Sequence, residues 1–176
     1  MSLQERLAQI KLLVLDHDGV LTDNHVYVNE HGEEMCRYSR ADGLGIERVK
    51  AAGVAVVVLS SEVNPIVGAR CKKLKIDCYQ AQLDKLSTLR AICLNRIIPL
   101  EQVAYVGNDV NDLDCLKAVG VPIIVQDAWR LGVPSTSLHD DVPPGYTNYF
   151  WHTIRNGGEG AVREVCDLIA DAIEAT

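Results

Sequence analysis

Short β-branched apolar runs alternate with stretches of helical spacing along most of this chain, and that alternation limits the fold more than any other feature. "IKLLVLD" (10–16), "VAVVVLS" (54–60), "DCYQ" (77–80), "QVAYVGN" (102–108) and "VPIIVQ" (121–126) read as strands. Between them, "LGIERVKAAG" (44–53), "NPIVGARCKKLK" (64–75), "KLSTLRAICLNR" (85–96) and "NDLDCLKAVG" (111–120) carry helical spacing. Pro65 falls near the first turn of its helix and Gly53 at a C-terminal stop. A helix between successive strands makes each connection a crossover and the sheet parallel. Nearly continuous apolar strands mean burial on both faces. The predicted fold is therefore a Rossmann-like, three-layer α/β arrangement with helices on both faces of a parallel sheet.

Two segments break the rhythm. "HVYVN" and "EMCRYS" flank "EHGE" and predict a small β-hairpin flap over 25–38, turning at His31-Gly32. Residues 129–156 read as irregular, with Pro134, Pro143, Pro144 and an aromatic cluster at Tyr146, Tyr149, Phe150 and Trp151. That aromatic content suits a packed loop or a subunit contact. Residues 157–176 return to a helix after a glycine turn. A length of 176 residues suits one domain spanning 1–176.

Composition narrows the function. The net charge of −7 argues against nucleic acid, because neutralising phosphates needs clustered Lys and Arg. No apolar run approaches the roughly 20 residues of a membrane span. The absence of a basic-then-apolar leader predicts a cytoplasmic chain with no membrane partner. The six cysteines are scattered without a C-x-x-C pair and read as reduced thiols rather than disulfides or zinc ligands.

Ligands of parallel α/β sheets sit beyond the carboxyl ends of the strands. Three ends here are chemically unusual: Asp16 and Asp18, then Ser60-Ser61-Glu62, then "GNDVND" with Asn108, Asp109 and Asp112. Asp16 and Asp18 point the same way while the backbone stays extended, and their repulsion calls for a cation between them or a retained proton. The pair equally suits a plain turn cap before Gly19, and "NDVND" an Asx-rich helix cap. Considered together, these oxygen donors without His or Cys suit a hard ion, Mg²⁺. Ser60 and Lys85 would add a hydroxyl and an ammonium, completing a phosphoryl site.

The set "LDHDGVLTD" (15–23), "VVLSSE" (57–62), Asp84-Lys85 and "GNDVND" (107–112) resembles the haloacid dehalogenase-like phosphatases. "RADGLGI", "QAQLDKL", "VAYVGNDVNDLDCLKAVG" and "GGEGAVREV" are similar to one small branch of them. That branch holds 3-deoxy-octulosonate 8-phosphate phosphatases, 2-keto-3-deoxynononate 9-phosphate phosphatases and the C-terminal domain of some acylneuraminate cytidylyltransferases. The resemblance covers about residues 9–128 and 156–170. It implies that Asp16 is a nucleophile forming an aspartyl phosphate, and that Asp18 is the acid and base. Ser60 and Lys85 would hold phosphoryl oxygens. Asp16, the Asp18 carbonyl and Asn108 would bind Mg²⁺, and the loop of Asp109 and Asp112 would hold the metal and its waters. Asn108 stands where the family usually has Asp. Many relatives carry a separate cap domain, but no insertion here is large enough for one.

The branch further implies a homotetramer in which neighbouring subunits complete each active site through "GG-x-GAVRE". There Gly157 and Gly158 could nest an anion and Arg163 could meet a carboxylate. Ser61-Glu62 replaces the Gly-Arg usual in octulosonate enzymes. Glu62, with Arg70 and Lys73 as neighbours that share one helix face, resembles the nononate and acylneuraminate group. The expected substrate is a nine-carbon sugar acid phosphate; the alternatives are octulosonate 8-phosphate, or a weakly active tetramerisation domain beside a cytidylyltransferase. A solvated ion-pair cluster of Glu62, Arg70 and Lys73, or an ordinary glycine turn, would suit the same residues.

Overall fold

Every residue of the strand Leu12–Leu15 (β1) is buried, as expected of a strand covered on both faces. A computed structural model describes residues 1–129, 131–140 and 149–176. β1 lies between Ala55–Leu59 (β4) and Val103–Gly107 (β6), with Asp77–Tyr79 (β5) outside β4 and Val121–Ile124 (β7) outside β6. All of these pairs are parallel, and β1 registers Leu15 with Val58 on one side and Val106 on the other. The predicted α/β fold is present.

Alternation along the central strands divides the core. Leu13, Leu15, Val56, Val58, Ala104 and Val106 face a layer formed by Leu3–Leu7 (α1), Arg40–Ala51 (α2), Ile66–Leu74 (α3) and Ala161–Glu174 (α6). Leu12, Val14, Val57, Leu59, Val103 and Tyr105 face Lys85–Arg96 (α4) and Leu113–Ala118 (α5). α2 and α6 pack closely because Gly45 lies against the Arg163 backbone, where a Cβ would come within 2.9 Å of its Cα.

The hairpin is formed by Thr22–Val28 (β2) and Glu34–Tyr38 (β3), an antiparallel pair outside the main sheet. β2 begins three residues before the predicted hairpin, and the pairing slips between Thr22 and Val26. Asn24 has a φ of 63° in that stretch. The tip closes through Asn29, whose side-chain oxygen accepts from the His31 and Glu33 amides.

The described residues of 129–156 include two strands that their composition does not signal. Ser135–Ser137 (β8) and Phe150–His152 (β9) extend the sheet to seven strands, in the order β5-β4-β1-β6-β7-β9-β8. The aromatic cluster is partly strand: Phe150 enters one core layer and Trp151 the other, the two-residue alternation of a sheet. Tyr149 meets Trp151 edge-on with ring centroids 4.7 Å apart. Pro143, Pro144 and Tyr146 lie outside the described residues. Among the described residues, no helix is long and apolar enough to cross a membrane.

Candidate active site

The parallel order brings the carboxyl ends of β4, β1 and β6 side by side, so Ser60, Asp16 and Asn108 are neighbours by topology. Asp16, Asp18, Ser60, Ser61, Asn108 and Asp109 line one open cleft of about 240 Å³. Asn24 of the hairpin also lines it, a residue whose position in the sequence carried no signal. An adjoining cavity of about 190 Å³ shares Asp18 and Asn24 and is also lined by Glu34, Glu62 and Asn64. A larger cavity of about 550 Å³ lies at the amino ends of β7 and β9; among the described residues its charged lining is Arg6 and Lys117, with no carboxylate to act as nucleophile or acid.

Asp16 is held through one oxygen. Its Oδ1 lies 2.8 Å from Lys85 Nζ and accepts the His17 N–H at 2.7 Å. Oδ2 has no protein partner among the described residues, although the residue is 4% exposed and lines the cleft. Lys85, the first residue of α4, is buried with Nζ also 2.8 Å from Asp112 Oδ1. Its helix is capped by Asp84, which accepts from the Ser87 N–H at 3.0 Å.

The structure corrects the role expected of Asp112. It is fully buried, lines no part of the cleft, and is saturated by protein donors. Oδ1 accepts from Lys85 and from the Tyr105 hydroxyl at 2.7 Å, while Oδ2 accepts the Asn108 N–H at 2.9 Å. Gly107 makes room for it, since a Cβ there would fall 2.6 Å from the Asp112 side chain. Asp112 therefore positions Lys85 and the Asn108 backbone rather than reaching metal-bound water. Asp109 stays at the cleft, but its Oδ1 caps the next turn by accepting the Val110 N–H at 2.6 Å.

One ammonium between two buried carboxylates leaves this trio with a surplus negative charge. Burial, followed by the charge of Asp112, pushes the Asp16 carboxyl up to about 7 despite Lys85 beside it. Burial opposes the Lys85 charge, but the two carboxylates prevail and raise its pKa. A cation at the mouth would offset the surplus. Among the described residues, no three His, Cys, Asp or Glu side chains converge to hold an ion by themselves. Asp16 Oδ2, Asn108 and the Asp18 carbonyl, completed by water, nevertheless fit a hard oxygen-seeking cation. Asn108 is fixed against Gly19, where a Cβ would fall 2.0 Å from its Nδ2 and where φ is +74°.

Ser60 is buried at the end of β4, and its Oγ accepts the Glu62 N–H at 3.1 Å, which leaves the hydroxyl proton free to donate into the cleft. Ser61 Oγ receives Asn111 Nδ2 at 3.5 Å. Glu62 Oε1 caps the following turn by accepting from Val63 and Asn64, both at 2.7 Å.

Five residues expected to touch substrate, Gly157, Gly158 and Arg163 of them in a neighbouring subunit's site, line neither cavity of this chain. Arg70 does not pair with Glu62; its guanidinium lies over the Tyr38 ring, 4.7 Å from the centroid, and donates to the Ser39 carbonyl. Lys73 is exposed on α3 and lines neither cavity. Gly157 and Gly158 form no open nest, because their N–H groups donate to Asp127 Oδ1 and the Val20 carbonyl, each at 2.9 Å. They press against the β1–β2 loop of their own chain, where a Cβ on Gly157 would fall 1.9 Å from the Gly19 carbonyl oxygen. Arg163 donates its N–H to Asp42 Oδ1 at 2.9 Å and its Nε to Asp167 at 2.5 Å, which leaves it away from the cleft.

The sequence carries no signal that marks His17, Tyr38, Asn24 or Tyr105 as part of the site. His17 sits between the two aspartates, yet a lone His beside a turn gives no hint that both ring nitrogens are bonded.

The haloacid dehalogenase-like hydrolase family matches residues 59–130. The 3-deoxy-D-manno-octulosonate 8-phosphate phosphatase of Salmonella typhi is 36% identical over 161 residues, covering 91% of this chain and 79% of the relative. The solved 3-deoxy-D-manno-octulosonate 8-phosphate phosphatase of Moraxella catarrhalis, in complex with magnesium, phosphate and KDO, superposes with a TM-score of 0.84 at 30% identity. It covers 98% of this chain and 94% of that one. The cobalt-bound deoxy-D-mannose-octulosonate 8-phosphate phosphatase of Haemophilus influenzae gives a TM-score of 0.80 at 31% identity, covering 96% and 92%.

Proposed function

The chain belongs to the haloacid dehalogenase-like hydrolases and is a phosphoric monoester hydrolase; from that premise we propose that it releases phosphate from a keto-deoxy sugar acid phosphate through a covalent Asp16 intermediate. The observation that carries this is the one-sided grip on Asp16. Lys85 and the His17 N–H occupy Oδ1, and Oδ2 is left at the cleft.

The chemistry follows from the residues. Asp16 Oδ2 attacks phosphorus as the phosphorus–sugar oxygen bond breaks, and Asp18 delivers a proton to the departing oxygen. Asp18, now a carboxylate, takes a proton from water. That water attacks the acyl phosphate, and breaking the phosphorus–Asp16 bond restores the carboxylate. The Ser60 hydroxyl and the Lys85 ammonium hold phosphoryl oxygens throughout. Mg²⁺ bound by Asp16, Asn108 and the Asp18 carbonyl would supply positive charge against the phosphate and keep Asp16 ionised.

Among sugar acids we favour a nine-carbon nononate or acylneuraminate 9-phosphate, because Glu62 lines the cavity beside Asp18. Octulosonate 8-phosphate is the second reading, favoured by the relatives matched above. Phosphate release with Mg²⁺ from both substrates, compared as kcat/KM, tests the choice. A preference for the nine-carbon acid supports the first, and a preference for octulosonate 8-phosphate supports the second. No release from either would overturn the proposal.

We infer further that the protein is a homotetramer whose hairpins are covered. Val26 and Val28 on one face of the β2–β3 hairpin, and the paired Tyr27 and Met35 on the other, are each more than half exposed, apolar surface that association would bury.

A further inference from the structure

His17 is fully buried, yet its ring is polar on both sides. Nδ1 lies 2.9 Å from Asp18 Oδ1, and Nε2 lies 2.9 Å from the Tyr38 hydroxyl. A buried imidazole needs both nitrogens paired. Whether the carboxyl is ionised or carries its proton on Oδ2, Asp18 Oδ1 only accepts, which assigns the imidazole proton to Nδ1 and leaves Nε2 to accept the Tyr38 O–H. Burial raises the Tyr38 pKa and keeps that phenol a donor.

Tyr38 ends β3, so this chain of contacts runs from the flap to the cleft. Its ring lies beneath Arg70, whose Nη2 donates to the Ser39 carbonyl at 3.1 Å. The hairpin also meets the cleft region directly, since Glu34 accepts from Asn64 Nδ2 at 3.0 Å. The Asp18 side chain is 40% exposed and has no hydrogen-bond partner besides His17 among the described residues. Without His17 its carboxyl would rotate freely in solvent.

We propose that His17 and Tyr38 are positioning residues that tie the flap to Asp18, holding Oδ1 so that Oδ2 delivers the proton to the leaving sugar oxygen. This rests on the acid role given to Asp18 above. Orientation of that kind is worth a large rate factor only where the proton is needed. A nitrophenolate departs without protonation, whereas a sugar alkoxide does not. The step that separates them is formation of the aspartyl phosphate, which kcat/KM reads.

The test compares p-nitrophenyl phosphate with whichever sugar acid phosphate the wild-type protein turns over faster, in Mg²⁺. Tyr38→Phe removes one half-buried hydroxyl. His17→Leu removes both ring contacts, and His17→Asn restores a donor near the Nδ1 position. Tyr38→Phe should lower kcat/KM for the sugar phosphate about tenfold or more while leaving the aryl phosphate within about twofold; His17→Leu should lower the sugar-phosphate value at least as far, and His17→Asn should recover most of that loss. Parallel losses on both substrates in Tyr38→Phe, or no loss on the sugar phosphate in either variant, would overturn the proposal. If His17→Leu fails to fold, Tyr38→Phe decides alone. A wild-type protein inactive on both substrates would instead remove the proposed function, a result distinct from parallel losses.

Discussion

Lys85 and Asp112 form a fully buried ion pair, Nζ to Oδ1 at 2.8 Å, and the same ammonium lies 2.8 Å from Asp16 Oδ1. The pair sits beneath the cleft, which makes Asp112 the support through which the interior sets the position of Lys85 beside Asp16. Removing the ammonium would strand two buried carboxylates. Lys85→Met should destabilise the protein by about 3–5 kcal/mol and abolish phosphate release, as read by thermal melting and a phosphate assay. A melting temperature equal to wild type would contradict this account of the trio.

The acidity of Asp16 yields a metal-dependent pH profile. Its folded pKa is raised to about 7 from an ordinary 3.8. The folded state therefore holds a proton that the unfolded state has released, and stability falls as pH rises between those values. In EDTA the loss between pH 4 and 7 should be roughly 2–4 kcal/mol, and Asp16→Asn should flatten it. Mg²⁺ should raise the melting temperature more at pH 8 than at pH 5. Equal stabilisation at both would contradict the metal assignment.

Much of this was legible in advance, for a physical reason. Strands buried on both faces and helices with apolar stripes have periodic signatures, so the sheet and the three convergent strand ends could be read from composition and spacing. α1 announces itself in sequence through the reciprocal capping box of Ser2 and Glu5, a local signal of only a few residues. β8 and β9 are three residues each, too short for periodicity to register. Pairing partners were the least accessible. The family resemblance implies Arg70 as a neighbour of Glu62, but the cation–π surface of Tyr38, distant in sequence, captures it. The Gly157-Gly158 amides read as an open nest because nothing in the sequence shows that Asp127 and Val20 already use them.

Gly157 packs behind the Asp16–Gly19 loop. Its approach to the Gly19 carbonyl leaves no room for a side chain. Gly157→Ala should cost about 1–3 kcal/mol through overpacking and lower kcat by shifting the Asp16–Gly19 turn. Circular dichroism melts and phosphate release check both effects, and a neutral variant would show that the tail does not constrain the loop.

The exposed flap residues predict assembly. Replacing Val26, Val28 and Met35 together with Ser should convert a tetramer to smaller species in light scattering, with the monomer fold preserved by circular dichroism. A wild-type monomer at micromolar concentration would contradict the tetramer.

The central claim is that Asp16 forms the bond to phosphorus. Asp16→Asn keeps the Oδ1 acceptor for Lys85 and the shape of the site while removing the nucleophile. The decisive measurement is steady-state phosphate release by this variant, in saturating Mg²⁺, from the best sugar acid phosphate. The account predicts a fall of at least about 10⁴-fold in kcat; turnover within about tenfold of wild type would contradict it.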